Sequence, residues 1–192
     1  MIKTIPGTTL EYSEKVKTEA FSLISPILSA TGGLTLSQLS KLTGLGGSTI
    51  QNWIKRGWVV NIPGKKYYEV QVIRILLINM LRGTMQLENI AVLMNYINGK
   101  VEDTSDDIIP DIDLYNIFCT IICELDEKKI YESEPIRATI KEVIKHNNNY
   151  VKEQESILEN TLFIMTLAYQ SSLIKAQLEQ EYERLDIKRY KI

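Results

Sequence analysis

The chain has 192 residues with 44% hydrophobic content, enough for one substantial core or two small ones. Its net charge of −2 hides a segregation: residues 32–100 carry 8 Lys and Arg against 2 Asp and Glu, while residues 101–134 carry 2 against 11. Ordinary contents of charge and glycine exclude wholesale disorder and fibrous repeats, and two cysteines give no disulfide framework.

Residues 1–12 show no period and are expected to follow an irregular path. From Ser13 to Ser29, the apolar positions Val16, Ala20, Phe21, Leu23, Ile24, Ile27 and Leu28 predict a helix capped by Ser13. Pro26 predicts that it kinks or ends early, and Thr31-Gly32-Gly33 breaks the chain. A short helix follows, with Ser37 as its cap, Leu36, Leu39 and Leu42 turned inward, and Gly44 as the left-handed stop. Ser48 is then expected to cap a second helix that runs to about Arg56 and ends at Gly57. Its buried face holds Ile50, Trp53 and Ile54, at i, i+3, i+4 spacing. Thr49, Gln51, Asn52, Lys55 and Arg56 are left outside. Val59 to Tyr68, with Pro63-Gly64 at its centre, predicts a two-stranded hairpin tipped by Lys65 and Lys66.

Two more helices are predicted. Ile73, Leu76, Leu77, Met80 and Leu81 form one stripe; Leu87, Ile90, Ala91, Met94 and Ile97 form another. The acidic run from Glu102 to Asp113, interrupted by Pro110, is expected to be a solvated linker. Beyond it the pattern is helical throughout. Leu114 to Leu125 carry a strong stripe, Ser133 is expected to cap a helix halted by Asn147-Asn148-Asn149, and a final helix spans roughly Val151 to Leu185. Between Leu162 and Tyr169 that last helix is apolar on nearly every side, which predicts burial by other helices or by a second subunit. The predicted fold class is therefore mainly α. It divides into an N-terminal extension (1–31), a helix-turn-helix unit with a small two-stranded wing (32–100), a linker (101–113) and an all-helical C-terminal domain (114–192).

Two short helices, a glycine turn and a basic wing are the parts of a winged helix-turn-helix, which lays its second helix in the major groove of DNA. Paired amides suit this: Gln51 and Asn52 match adenine N6 and N7, while Lys55 or Arg56 reaches guanine or phosphate. Lys65, Lys66 and Arg74 are expected on phosphates, which position without reading sequence. The candidate DNA-binding residues are Ser48, Thr49, Gln51, Asn52, Lys55, Arg56, Lys65, Lys66, Tyr67 and Arg74. Tyr67 and Tyr68 are expected to split, one packing under the wing and one facing out. Trp53 is read as core.

The segment from Leu34 to about Asn98 resembles the DNA-binding domain of the MerR family of bacterial regulators. The likeness rests on LSQLSKLTG, TIQNWIKRG, KKYY and VIRILLINMLRGTMQLENIAVLM, four elements in the family's order. Where that family commonly carries an arginine, an apolar residue and a tyrosine, this chain has Gln51, Asn52 and Trp53, which removes one phosphate or guanine contact. Several helices follow instead of one long pairing helix. The whole chain looks like the bacterial domain-of-unknown-function family 1836. The resemblance implies a transcriptional regulator whose partner is double-stranded DNA, with a possible homodimer through the C-terminal helices. Two alternatives stay open: an interaction module that keeps the fold without touching DNA, and an excisionase-like architectural factor that bends it.

No enzyme is expected, since no nucleophile, base and oxyanion hole assemble, and no P-loop or dinucleotide fingerprint occurs. No cofactor or metal is expected either. Cys119 and Cys123 sit at i,i+4 spacing on an apolar helix and read as core. The aspartates of the linker lack the calcium-loop pattern, and His146 lies where its charge suits a helix C-terminus. No basic-then-apolar leader opens the sequence, and no apolar run nears the ~20 residues of a bilayer span, so a cytoplasmic location is expected.

Overall fold

The computed structural model describes residues 4–11, 19–101, 103–147 and 149–185; Ser13 and Val16, the start of the first predicted helix, lie outside them. The fold is mainly helical with one small antiparallel sheet. A single 3₁₀ turn (Ala20–Leu23) leads into α1 (Ser25–Thr31). Pro26 does not kink or end this helix. It sits in the first turn, where a missing N–H costs nothing.

β1 (Leu34–Thr35), α2 (Leu36–Thr43) and α3 (Gly47–Lys55) follow. The cap of α2 is Thr35 rather than Ser37. The Thr35 hydroxyl accepts from the Gln38 amide, and the Gln38 side chain accepts in return from the Thr35 N–H at 2.8 Å. The predicted hairpin over 59–68 is replaced by a different pairing. Only β2 (Lys66–Tyr67) is a strand, and it runs antiparallel to β1, matching Leu34 with Tyr67 and Thr35 with Lys66. Residues 59–65 form a loop without strand structure. Gly33 permits the pairing, because a Cβ there would lie 3.0 Å from the Tyr67 carbonyl oxygen.

α4 (Glu69–Leu81) is the centre of the molecule. It carries more than the single stripe its sequence shows. Val72, Ile75 and Ile78 are buried along with Ile73, Leu76, Leu77, Met80 and Leu81, because α2, α5, α6 and α8 surround it. α5 (Leu87–Asn98) follows, then α6 (Asp111–Lys128), α7 (Ser133–Lys145), a 3₁₀ turn (Lys152–Gln154) and α8 (Glu155–Arg184). Ser133 is the first residue of α7; the cap position belongs to Glu132. α6, α7 and α8 pack on one another, and one hydrophobic cluster runs from Ile5 through α4 to Tyr169.

Three expectations change. Residues 4–11 are not irregular but form a tight loop bridged from Thr4 to Glu11 and fastened to α2 by Thr9, whose N–H donates to Leu42 O at 2.8 Å. The acidic run is not wholly a solvated linker: Ile108 and Ile109 are buried, and Asn98 Nδ2 donates to Ile109 O at 2.7 Å. α8 is not wrapped on every side. Leu162 and Met165 are buried, whereas Ile164 and Leu167 remain exposed. Among the described residues no helix is long and apolar enough to cross a membrane.

Candidate nucleic-acid interface

The two helices α2 and α3 meet at a turn that α4 holds from below. Gly44 ends α2 at φ 71°, and its N–H donates to Ser40 O. Thr43 Oγ1 donates to Leu39 O at 2.8 Å and accepts from the Leu45 N–H at 3.2 Å, so the turn's polar groups are satisfied locally. Asn79, the one polar interruption in an apolar stretch of α4, donates from Nδ2 to both Thr43 O and Gly7 O at 2.9 Å. An amide at that place ties the turn and the N-terminal loop to the core. The sequence signal was present as an Asn inside an apolar run, but its targets are distant in sequence.

α3 sorts by face as its periodicity predicts. Ile50 and Trp53 are buried and Ile54 is half-buried. Ser48, Gln51, Asn52, Lys55 and Arg56 are exposed and Thr49 is half-buried. Ser48 is not the cap, because the helix begins one residue earlier with Gly46 at the cap position and no side-chain cap bond. Its hydroxyl is left on the outer surface. Arg56 Nη1 donates to Glu88 Oε1 at 2.9 Å, and the guanidinium lies 5.1 Å from the centre of the Trp58 ring. Both partners of that ion pair are well exposed, so it holds Arg56 only weakly.

The segment after α3 brings further cations to the same side. Lys65 and Lys66 are exposed, and Lys66 Nζ donates to the Thr31 carbonyl. Tyr67 is half-buried, and burial pushes its phenol above the ordinary range, while Tyr68 is exposed. The expected split between the two tyrosines is therefore present. Gln51, Asn61, Lys66 and Tyr67 border one cleft of about 190 Å³, so side chains from α3, the loop and β2 converge there. Gln71 fixes the loop: its Nε2 donates to Val60 O at 3.0 Å and its Oε1 accepts from the Tyr68 N–H at 3.0 Å. Asn61 and Gln71 were not singled out by the sequence, since their role depends on how the loop folds back.

Arg74 corrects the sequence reading. It is 3% exposed, on the inner side of α4, and its Nη1 lies 3.3 Å from Asp111 Oδ1. A guanidinium held there cannot meet a phosphate on the outer surface. The remaining chemistry-bearing residues behave as the sequence suggests. Cys119 and Cys123 are both buried, and burial pushes the Cys119 thiol well up. His146 is exposed at the C-terminus of α7 with Nδ1 2.8 Å from Glu142 O.

Residues 33–118 match the family profile described as Domain of unknown function (DUF1836). The matched stretch runs from just before β1 into α6, so it holds the exposed α3 face, the 59–65 loop and the Arg74–Asp111 pair together. The chain is also 25% identical over 188 residues to the uncharacterized protein YkrK of Bacillus subtilis (strain 168), covering 89% of this chain and 78% of that one. No solved structure matches.

Proposed function

We propose that the chain is a sequence-selective DNA-binding regulator of the winged helix-turn-helix type. In this reading α3 enters the major groove, and the 59–67 segment lies on the phosphate backbone. One observation carries the proposal: Gln51, Asn52, Lys55 and Arg56 are all exposed on or at the end of α3, and Gln51 shares a cleft with the exposed Lys66. Two amides supply the bidentate donor–acceptor edge that adenine presents to, and the cations supply the phosphate attraction. Gln51 and Asn52 read bases; Lys55, Lys65 and Lys66 position the protein, and Ser48 and Thr49 sit at the start of α3, where helix amides favour a phosphate.

We take the working form to be a homodimer in the cytoplasm. The outer part of α8 leaves Leu167, Ile174 and Leu178 exposed, at the spacing of a helix–helix seam interrupted by Ser171 and Glu181. A second copy on that stripe predicts a two-fold related pair of half-sites.

Selection of bound sites from random duplexes tests the reading. A preferred motif is expected, and Gln51→Ala or Asn52→Ala should relax preference at one or two base pairs while leaving the rest intact. An unchanged motif in both variants removes the base-reading role from this face. No duplex binding even at low salt would favour an interaction module on the same scaffold.

A further inference from the structure

A cavity of about 450 Å³ opens between the loop after α3, the first turns of α4 and the segment leading into α6. Its size falls within the ~300–1,000 Å³ range of small-molecule sites. Val70, Ile73 and Ile112 give it an apolar wall, and two cations, Arg74 and Lys100, stand around that wall with three carboxyl groups, Glu69, Asp107 and Asp111.

The polar groups are incompletely matched. Arg74 is almost wholly buried, yet its Nε has no hydrogen-bond partner. Its bond to Asp111 Oδ1 is long at 3.3 Å, and that same oxygen already accepts from Asn98 Nδ2 at 3.0 Å. A buried donor without an acceptor is costly, and native structures retain few of them. Asp107 is half-buried on the wall of the same cavity. Burial first, then the nearby Asp111 carboxylate, raise its carboxyl to about 6, against the lowering effect of Arg74; Asp106 and Asp103 add to the rise. Thus the cavity presents a guanidinium with one unmatched N–H, an exposed Lys100 and the half-buried carboxyl of Asp107.

We propose that this cavity binds a small zwitterion with an apolar tail, of the class of the apolar α-amino acids. The ligand carboxylate pairs with Arg74 and Lys100, its ammonium pairs with Asp107, and its tail lies against Val70, Ile73 and Ile112. A purely anionic ligand leaves Asp107 repelled, and a purely cationic one leaves Arg74 unmatched. The site goes beyond the DNA proposal and does not rest on it.

Thermal melting of the full chain, without DNA, in the presence of each of the twenty standard L-amino acids tests this. At ~100 times Kd, one or more of leucine, isoleucine, valine, methionine and phenylalanine should raise Tm by ~5 °C or more. Aspartate, glutamate, lysine and arginine should not. The N-acetyl derivative of the best ligand lacks the ammonium and should bind at least ~10-fold more weakly by calorimetric titration, as should Asp107→Asn with the parent ligand. Val70→Trp, at an exposed position on the rim, fills the cavity and should abolish the shift. The proposal is overturned if none of the twenty moves Tm, or if Val70→Trp or the N-acetyl derivative binds as tightly as the unmodified pair. Duplex binding plays no part in the readout, so either proposal can fall alone.

Discussion

Replacing Lys65 and Lys66 together by alanine puts the candidate nucleic-acid face to a quantitative test. Four exposed cations, Lys55, Arg56, Lys65 and Lys66, lie at the end of α3 and in the segment that follows it. Each cation set against a duplex phosphate contributes about −0.9 to the slope of log K against log salt, so four give about −3.6 and two about −1.8 per chain. Over a fourfold rise in salt, from ~50 to ~200 mM, the parent should lose ~150-fold in affinity and the double variant only ~12-fold. Fluorescence anisotropy with a labelled duplex, titrated at several salt concentrations, reads both slopes. Two of the four have partners within the chain: Lys66 donates to the Thr31 carbonyl, and Arg56 is held by Glu88 at 2.9 Å. Glu88→Gln should release it and strengthen binding at low salt. A double variant that keeps the parent slope would show that this surface does not carry the phosphate contacts, and the assignment of the 59–67 segment would fail.

Other outcomes follow from the core around the site. Asp111→Asn leaves the buried Arg74 guanidinium without its carboxylate and should cost about 3 kcal/mol in urea unfolding, while the salt slope of DNA binding stays unchanged. Gly44→Ala forces a side chain into φ 71° and brings its Cβ within 3.3 Å of Thr9 Cγ2; a loss of at least ~1 kcal/mol is expected by thermal melting. Asp107 should impose a pH dependence whose sign is fixed. Its folded-state value, about 6, lies above its ordinary 3.8, so the native state binds the proton more tightly than the unfolded chain. The resulting stabilisation is fully present below about 3.8 and is lost as pH rises through about 6. Stability curves of the parent and Asp107→Asn should therefore converge differently across that window. Identical pH dependence in both would remove Asp107 as the source.

Much of the local structure was legible before any coordinates. The presence and order of α2, α3 and α5, the stop at Gly44 and the inward face of Ile50 and Trp53 all came from spacing and end residues. Such features are settled within a turn or two of chain, where helix period and φ preference act directly. Caps were less secure. Thr35 displaced Ser37 because Gln38 three residues on completes a reciprocal box, and Ser48 lost the cap because Gly46 already occupied it. In both helices two hydroxyl- or glycine-bearing positions two residues apart compete within one turn.

What the sequence by itself determined, then, is the helical class, the order of the helices and the outward chemistry of α3, all consequences of short-range periodicity. Only the tertiary structure decided the rest. Lys66 and Tyr67 find their strand partners 31 and 33 residues away, in Thr35 and Leu34, not within their own predicted hairpin. Arg74 is drawn inward because Asp111 arrives beside it, from a segment that composition marks as solvated. α4 is surrounded while α8 keeps a bare side, though α8 has the stretch that reads as apolar all round. Each of these depends on which elements come to lie side by side. Hydropathy along one helix reports how much surface needs covering, but not which neighbour is there to cover it.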